Sequence, residues 1–472
     1  GYGDAEIAIA RRALSSLIGG IGYFYGRGLV AAGPMPGPGD DANVPPAELS
    51  APYALFATTP SRPFFPRGFL WDEGFHQLLL ARWDADLSLD IVRSWFSTMD
   101  ASGWIAREQI LGDEARSKVP AEFQVQYPNF ANPPTLLFAV RALAERTAAN
   151  ELSGLAEQLE QVYCERDVPD PATSQTLTLP RIAELHRFSS RLLDYFMATQ
   201  AGARGRGYRW RGRTEGHTLT SGLDDYPRAR PPSSGELHVD LFAWVTYMLA
   251  VDTELAAHDS GGGRAANQTA VRERERQLEE HLQLLDELHW NPERNMYCDV
   301  TARARADYDE LEDDGGEPEE AAFVCHRGYV SLFPMLLGLV APDSPKLGHI
   351  LDMVEDPAEL WTAYGLRSLS ARDPYYGKDE NYWRGPIWLN VNYLVLAALH
   401  KTYATAPGPF RDQAARIYRE LRANLVANVL GQYQSTGFFW ENYSPDDGHG
   451  QGTHPFTGWT SLIVLIMAEQ YH

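Results

Sequence analysis

The sequence alternates along its length between segments with helical periodicity and loops rich in Gly, Pro and aromatic residues. About a dozen segments place apolar residues three and four positions apart, which is the spacing of one face of a helix. Alternation with a period of two, which would indicate strands, is scarce. No unit of roughly 20–50 residues repeats, which argues against a regular solenoid. The chain is therefore predicted to be built from packed helices.

The boundaries of these segments follow from the apolar periodicity, from Gly and Pro in the connections, and from Pro at helix starts. Helices are predicted near residues 5–18, 76–83, 88–99, 136–147, 151–163, 179–200, 236–255, 268–288, 328–340, 344–354, 386–399, 409–429 and 459–469. The stretch 32–52 is rich in Gly, Pro, Ala and Asp and is predicted to be a long surface loop.

Loops that carry acids and aromatic rings fall at roughly every other connection between helices. This order suits a closed double ring of helices, the (α/α)6 toroid, with apolar inner helices and amphipathic outer helices such as 268–288. We predict an all-α fold of this kind with long functional loops. It forms a single domain over residues 1–472, in which residues 1–60 supply an N-terminal helix and a Pro/Gly-rich excursion.

Composition restricts the partners of the chain. Its 472 residues carry a net charge of −22, which argues against nucleic acid, because a phosphate backbone attracts Lys and Arg. Trp and Tyr number 12 and 23, and many of these rings adjoin Asp, Glu, Asn or Arg. No run of about 18 apolar residues occurs, so no membrane-spanning segment is predicted. The chain begins at Gly1 without an initiator Met, and we expect a fragment of a longer protein.

The sequence contains no zinc motif. Cys164, Cys298 and Cys325 lack the CxxC spacing of such a site, and they allow one disulfide whose pairing stays open. The acidic run 303–320 is interpreted as a solvated loop, with a calcium site as the alternative, although EF-hand spacing is absent. We predict neither a metal nor a cofactor. An N-glycosylation sequon at Asn267 favours a secretory compartment.

One loop, residues 438–450, crowds aromatic rings around a single acid, Glu441. Aromatic rings stack on the flat faces of pyranoses, and glycoside hydrolysis uses a pair of carboxyls. Desolvation by rings would raise the pKa of a general acid, whereas a general base needs hydrogen-bond donors that keep it ionised. Both roles are open for Glu441 on this reasoning, and packing in the core is the structural alternative.

A second acidic loop, residues 221–228, lies more than two hundred residues earlier. Gly222 permits an unusual φ angle and Pro227 stiffens the exit of the loop. Adjacent acids cannot both face one substrate atom, so Asp224 and Asp225 are expected to have different roles. A turn in which an Asp caps a helix is the structural alternative.

Further loops place an indole or a guanidinium beside carboxylates, as a sugar-binding surface does. They contain Trp71, Asp72 and Glu73, then Arg107, then Trp383 and Arg384. Glu236 and Asp240 stand four residues apart on a predicted helix and would share a face as an acid–base or metal pair, with His238 pointing elsewhere. Glu236 also fits a capping box. No GxSxG, Walker, GxGxxG or HExxH motif occurs, which argues against serine hydrolases, kinases, dinucleotide enzymes and zinc proteases.

Four stretches carry a family resemblance that covers nearly the whole chain. They are residues 65–76 (FPRGFLWDEGFH), 221–228 (SGLDDYPR), 381–388 (NYWRGPIW), and 441–443 (ENY) with 456–459 (FTGW). The chain resembles the processing α-glucosidases of glycoside hydrolase family 63. The resemblance implies an (α/α)6 catalytic domain that hydrolyses, with inversion, the terminal α-1,2-linked glucose of the triglucosylated N-glycan precursor (Glc3Man9GlcNAc2).

The resemblance also implies roles for individual residues. Asp224 is similar to the general acid of the family and Glu441 to its general base. Related trehalases carry a Ser-Gly-aromatic-Asp motif, which favours Asp224 over Asp225, although Leu223 replaces the aromatic residue here. The Glu236/Asp240 pair is the alternative. The expected substrate-binding residues are Trp71, Asp72, Glu73, Arg107, Tyr226, Arg228, Trp383, Arg384, Trp388, Phe438 and Phe439.

Full-length enzymes of the family carry an N-terminal membrane anchor and a β-sandwich domain, neither of which is expected within this sequence. We therefore expect a monomeric catalytic fragment in the lumen of the endoplasmic reticulum. Its partner would be an N-linked oligosaccharide, with no nucleic acid and no membrane contact of its own. The alternatives are a trehalase-like or mannosylglycerate-type hydrolase on the same toroid, a glycan-binding module without catalysis, and a purely structural helical scaffold.

Overall fold

A computed structural model describes residues 1–37, 43–148, 181–202, 205–258, 264–302 and 321–472. The helix predicted near 151–163, the acidic run 303–320 and Cys164 lie outside the described residues. Fourteen α-helices lie within the described ranges. They are α1 (Asp4–Gly19), α2 (Leu70–Trp83), α3 (Ala85–Ser97), α4 (Gly112–Ser117), α5 (Ala121–Gln124), α6 (Leu136–Ala148), α7 (Arg181–Thr199), α8 (Val239–His258), α9 (Arg264–His289), α10 (Tyr329–Leu336), α11 (Pro345–Glu355), α12 (Leu389–Ala398), α13 (Arg411–Thr436) and α14 (Ile463–Ala468).

Three shorter helical turns complete these elements. Two are 3-10 turns, Leu219–Ser221 and Trp459–Leu462, and the latter leads directly into α14. The third is a π-helical turn, Leu399–Tyr403, which extends α12. The predicted helices outside 151–163 are thus present, although several begin at other residues.

Six buried segments contact one another in a closed succession. α2 packs against α6, α6 against α8, α8 against α10, and α10 against α12. α12 contacts the turn Trp459–Leu462 and α14, and that turn packs back against α2. α10 and α12 are buried along their whole length, as is α2 from Leu70 to Ala81. Helices that are apolar on all sides need such an environment.

Six further helices pack against these segments or against α14. α1 contacts α14, α3 contacts α2 and α6, α7 contacts α6 and α8, α9 contacts α8, α11 contacts α10, and α13 contacts α14. α13 shows why: it buries Ala414, Ile417, Leu421 and Leu425, which lie three or four residues apart on one face. The amphipathic pattern of these helices is therefore consistent with one face packed on the inner segments and the other exposed.

Strands are more numerous than the sequence indicated, which corrects the all-α expectation to a helix-rich fold with small hairpins. The described residues form six two-stranded antiparallel sheets. The strands are β1 (Ile21–Gly26), β2 (Leu29–Ala31), β3 (Ala47–Leu49), β4 (Tyr53–Thr58), β5 (Gly68–Phe69), β6 (Glu108–Gln109), β7 (Trp290–Asn291), β8 (Met296–Tyr297), β9 (Asp299–Ala302), β10 (Ala321–Val324), β11 (Asn442–Tyr443) and β12 (Gly450–Gln451). Most are too short to show an alternating pattern, because a period of two needs about four residues to be visible.

Three inner helices differ from prediction at their first residue, and the differences matter for the site. α2 begins at Leu70 rather than near residue 76, directly after β5. α8 begins at Val239 rather than near 236, because Leu237 pairs through its backbone with Val300. α12 begins at Leu389 rather than at 386, because Ile387 exchanges backbone hydrogen bonds with Tyr443. In the last two cases the backbone pairs with a segment far away in the sequence.

A disulfide joins Cys298 to Cys325, which lie on either side of the acidic run in sequence. It settles the pairing of these two cysteines. Asn442-Tyr443-Ser444 also has the pattern of an N-glycosylation sequon. Asn442 lies in β11 with a buried side chain, whereas Asn267 lies in the first turn of α9. Among the residues that the structure describes, no helix is both long and apolar enough to cross a membrane.

Candidate active site

One cavity lies where the segments leading into the inner helices meet. It has a volume of about 230 Å³, below the roughly 300–1,000 Å³ typical of small-molecule pockets, so it suits a single sugar ring. It is lined by Pro60, Phe65, Arg67, Phe69, Trp71, Asp72, Arg107, Glu108, Phe123, Asn132, Leu219, Gly222, Asp224, Tyr382, Trp383, Glu441, Phe456 and Trp459. Both proposed catalytic carboxyls are in this set, although they lie far apart in the sequence.

Asp224 reaches the cavity from the loop between the 3-10 turn Leu219–Ser221 and α8. The turn ends at Gly222, whose φ of +77° is the left-handed conformation that its position suggested. A Cβ at Gly222 would lie 3.0 Å from Cε2 of Trp71, so glycine lets the indole lie against the loop. Burial raises the pKa of the Asp224 carboxyl to about 7, and the Arg107 guanidinium partly opposes that rise. A carboxyl that is protonated near neutral pH can act as a general acid.

Glu441 lies on the segment before β11 and is 5 % exposed. Its carboxylate accepts hydrogen bonds from the Tyr382 hydroxyl at 2.5 Å and from the Thr453 backbone N–H at 2.8 Å. A Cβ at Gly452, whose φ is +71°, would lie 2.5 Å from Oε2 of Glu441, so this approach requires glycine. Two donors stabilise the charged form of a carboxyl group, which is the form that accepts a proton from water.

Asp225 has surroundings that differ from those of Asp224. It is 1 % exposed, and its two carboxylate oxygens accept the backbone N–H groups of Trp383 at 2.6 Å and Tyr382 at 3.0 Å. Its side chain is thus committed to the neighbouring loop rather than to the cavity. The expectation of different roles for the two adjacent acids agrees with this geometry.

Four more charged groups line the cavity. Arg67 contacts Glu108 with 3.1 Å between Nε and Oε2, and Arg107 contacts the other oxygen of Glu108 at 3.3 Å. Asp72 lies in the first turn of α2, where acids are favoured by the helix dipole. Burial raises the pKa of Asp72 well above its ordinary value, and the charge of Glu441 raises it further. Asp72 and Glu441 are therefore close enough to interact electrostatically.

The structure places four of the expected substrate-binding residues on the cavity and seven outside it. Trp71, Asp72, Arg107 and Trp383 line it; Glu73, Tyr226, Arg228, Arg384, Trp388, Phe438 and Phe439 do not. The substrate-binding role expected of these seven residues stays a prediction.

The four polar members of this group make hydrogen bonds inside the protein. The Glu73 carboxylate accepts the Thr58 N–H and the Trp95 indole N–H, both at 2.9 Å, and its side chain is fully buried. The Tyr226 hydroxyl donates to the His326 carbonyl. Arg228 is enclosed by Asp240 and Asp299, and Arg384 pairs with Asp379 and with the Asp225 carbonyl.

The three aromatic members pack against other rings. Trp388 stacks on Trp383 with 3.9 Å between ring centroids, which places Trp388 behind the cavity-lining indole. Phe439 is buried and stacks on Tyr433. Phe438 is exposed and packs its edge on His454. These contacts explain why rings in the same short motif have different surroundings.

The alternative pair, Glu236 and Asp240, forms no site. Glu236 precedes α8 instead of lying on it, so the two acids do not share a helix face. Glu236 pairs with Arg213 at 2.7 Å and contacts Nε2 of His238 at 2.9 Å, which also corrects the expectation for that histidine. Asp240 is fully buried against Arg228. Both acids serve a buried ion-pair network.

Several cavity residues were missed from the expected site. Tyr382 lines the cavity and is not among the expected site residues, although it directly precedes Trp383 in the NYWRGPIW motif. Phe65, Arg67, Phe456 and Trp459 also belong to quoted motifs and line the cavity. Membership of a motif was the available signal for all five. In the ranges described by the structure, no three His, Cys, Asp or Glu side chains gather as a metal site would require.

Comparison with known proteins identifies the family to which this site belongs. A family model described as the C-terminal domain of glycosyl hydrolase family 63 matches residues 1–469. The chain belongs to glycoside hydrolase family 63. This membership agrees with the resemblance carried by the four sequence motifs.

Curated relatives in family 63 align over 99% of this chain. A probable mannosyl-oligosaccharide glucosidase of Schizosaccharomyces pombe is 43% identical over 99% of the chain and 59% of its own length. The mannosyl-oligosaccharide glucosidase of Saccharomyces cerevisiae is 40% identical over 99% of the chain and 57% of its own length. The chain thus spans less than two thirds of these relatives.

Solved structures of family 63 share the fold. A mannosylglycerate hydrolase from Thermus thermophilus in complex with Tris aligns with a TM-score of 0.57 and 16% identity, covering 97% of this chain and 99% of that chain. The same enzyme in complex with glucose aligns with a TM-score of 0.56 and 17% identity, over 97% and 99% of the two chains. The likeness concerns the fold alone.

Proposed function

We propose that this chain is the catalytic part of an inverting exo-α-glucosidase. It removes the terminal α-1,2-linked glucose from the triglucosylated N-glycan precursor. The observation that carries the proposal is the meeting in one cavity of Asp224, with a pKa raised to about 7, and Glu441, with two hydrogen-bond donors. The identity of 38–43% to three proteins named mannosyl-oligosaccharide glucosidase supports the choice of substrate.

The architecture proposed for this activity is the (α/α)6 toroid. Its support is the closed succession of contacts from α2 through α6, α8, α10 and α12 to the turn Trp459–Leu462 and back to α2, with six further helices packed against these segments or against α14. The cavity residues belong to segments that lead into the inner helices. A ring of this kind would bring loops from distant parts of the sequence to one end of its centre.

In the mechanism, Asp224 protonates the glycosidic oxygen while Glu441 deprotonates a water on the opposite face of the sugar. An inverting enzyme needs room for that water, so its carboxyls lie roughly 6.5–9.5 Å apart, whereas roughly 5–5.5 Å is typical of a retaining enzyme. Trp71 and Trp383 would stack on the glucose ring. Asp72, whose pKa is raised by burial, and Arg107 would bind its hydroxyls.

We infer that the chain acts in an oxidising compartment, the lumen of the endoplasmic reticulum. The disulfide between Cys298 and Cys325 supports it, because structural disulfides persist in oxidising compartments. The partner is the N-linked oligosaccharide itself, and the working unit is a monomer.

A substrate panel tests the proposal. The chain is incubated with the triglucosylated glycan, its diglucosylated product, trehalose and mannosylglycerate, and released sugar is measured. Glucose release from the triglucosylated glycan alone is expected. Mannosylglycerate is included because a mannosylglycerate hydrolase of Thermus thermophilus is 33% identical over 32% of this chain. Preferential hydrolysis of mannosylglycerate or trehalose would reassign the substrate, and glycan binding without glucose release would indicate a binding module.

A further inference from the structure

The loop that carries Asp224 is fastened to the loop that carries Tyr382. The fastening group is the adjacent residue, Asp225. Its carboxylate accepts the backbone N–H of Tyr382 at 3.0 Å and of Trp383 at 2.6 Å. Its backbone carbonyl accepts a hydrogen bond from Nε of Arg384 at 2.6 Å. Three consecutive residues of one loop thus bind a single residue of the other.

The loop that carries Tyr382 is in turn fastened to Glu441. The Tyr382 hydroxyl donates to Oε1 of Glu441 at 2.5 Å. The Trp388 indole N–H donates to the Tyr382 carbonyl at 3.0 Å, and the Trp459 indole N–H donates to the Glu441 carbonyl at 3.1 Å. The two indoles meet edge to face with 5.7 Å between centroids. Both the side chain and the backbone of Glu441 are therefore tied to this cluster.

Tyr382 stays a hydrogen-bond donor over the whole range of working pH. Burial raises the pKa of its phenol well above 10, and the negative charges of Glu441 and Asp224 raise it further. Asp224, Glu441 and Tyr382 all line the same cavity, whereas Asp225 does not.

We propose that Asp225 and Tyr382 are positioning residues that hold Asp224 and Glu441 at a fixed separation. The inference rests on the proposed function, in which that separation must leave room for one water. The two carboxyls come from loops 217 residues apart in sequence (441 minus 224), so packing alone must set their distance. A displacement of about 1 Å at reacting groups costs on the order of 100-fold in rate.

The kinetic test uses Tyr382→Phe, which keeps the ring and removes the donor. The variant is expected to lose roughly 10- to 100-fold in kcat with a smaller change in KM. In a Glu441→Gln background the same substitution should add almost nothing, since both act through one group. Tyr376→Phe, in the same loop but off the cavity, is the matched control.

Asp225→Asn tests the hydrogen bonds that join the Asp224 loop to the Tyr382 loop. The amide keeps its size but replaces one of the two oxygens that accept backbone N–H groups. A fall in kcat with a smaller change in KM is expected. Asp379→Asn is the control, because Asp379 pairs with the same Arg384 without touching the Asp224 loop. An equal loss in both variants would contradict a role specific to Asp225.

An unfolding cycle measures the Tyr382–Glu441 contact without any enzyme assay. Urea midpoints are compared for Tyr382→Phe, Glu441→Ala and the double variant of the full chain. Non-additive shifts are expected, because each single change breaks the same hydrogen bond. Additive shifts, or an unchanged kcat in Tyr382→Phe, would overturn the inference. If the unsubstituted chain releases no glucose, the proposed function fails, and the cycle alone then decides whether this connection exists.

Discussion

At the scale of single residues, the division of labour between Asp224 and Glu441 is the first thing to test. Asp224→Asn and Glu441→Gln should each lower kcat by roughly 10²–10⁴-fold, which is the usual contribution of a positioned acid or base. Circular dichroism and the urea midpoint serve as checks that each variant folds. Near-normal turnover by either variant would remove that residue from the mechanism.

The pKa of Asp224 predicts the alkaline side of the activity profile. Its carboxyl must be protonated to act as an acid, and burial raises its pKa to about 7. The kcat/KM value should therefore fall tenfold per pH unit above about 7, as the acid loses its proton. The measurement is kcat/KM between pH 5 and 9 at constant ionic strength. A profile that stays flat to pH 9 would mean that another group supplies the proton.

The same pKa predicts how Asp224 affects stability. A carboxyl whose pKa rises from 3.8 to about 7 on folding stabilises the protein below pH 3.8, and this contribution is lost as the pH rises through about 7. Asp224→Asn should therefore raise the free energy of unfolding at pH 8 by about 1–3 kcal/mol, with the partial exposure of the group keeping the gain modest. Asp412→Asn, an exposed acid, is the control. If the substitution stabilises the protein less at pH 8 than at pH 5, the predicted direction of the effect is wrong.

At the residue scale the sequence identifies chemistry better than orientation. Asp224, Glu441, Trp71 and Trp383 all adjoin rings or acids in sequence, and all line the cavity. Phe439 and Trp388 have the same kind of neighbours but pack behind it. Which side of a loop faces the cavity depends on contacts with distant segments, and a local pattern does not contain those contacts.

At the scale of elements, the helix interiors follow from apolar periodicity and the starts of three inner helices do not. Leu237 and Ile387 are extended because they pair with Val300 and Tyr443. That pairing excludes Glu236 from α8, and with it the helical acid pair. The short hairpins were not predicted for a different reason: most of their strands have too few residues to show an alternating pattern.

The contribution of the disulfide to the free energy of unfolding can be measured separately. It closes a loop with 27 residues of separation, for which the loss of chain entropy on cross-linking predicts about 3 kcal/mol. Cys298→Ser/Cys325→Ser should lower the free energy of unfolding by about that amount. Reducing agent should lower the urea midpoint of the unsubstituted chain similarly and leave the variant unchanged. A reduced chain with an unchanged midpoint would contradict a stabilising role.

At the scale of the whole molecule, the succession of helix contacts closes between segments near the two ends of the described chain. The turn Trp459–Leu462 packs on α2, and α1 packs on α14. The count of helices and the placement of functional loops predict a double ring. The closure of the contact succession depends on contacts between segments more than 370 residues apart in sequence, such as α2 and Trp459. The same closure brings Glu441 to Asp224.

The anomeric form of the sugar released first tests the central claim most directly. The chain is mixed with the triglucosylated glycan in an NMR tube, and the anomeric protons of free glucose are followed before mutarotation. Inversion through Asp224 and Glu441 predicts that β-glucose appears first and that its α form grows in later. Initial release of α-glucose would contradict the account, because it would require a covalent intermediate and a retaining mechanism.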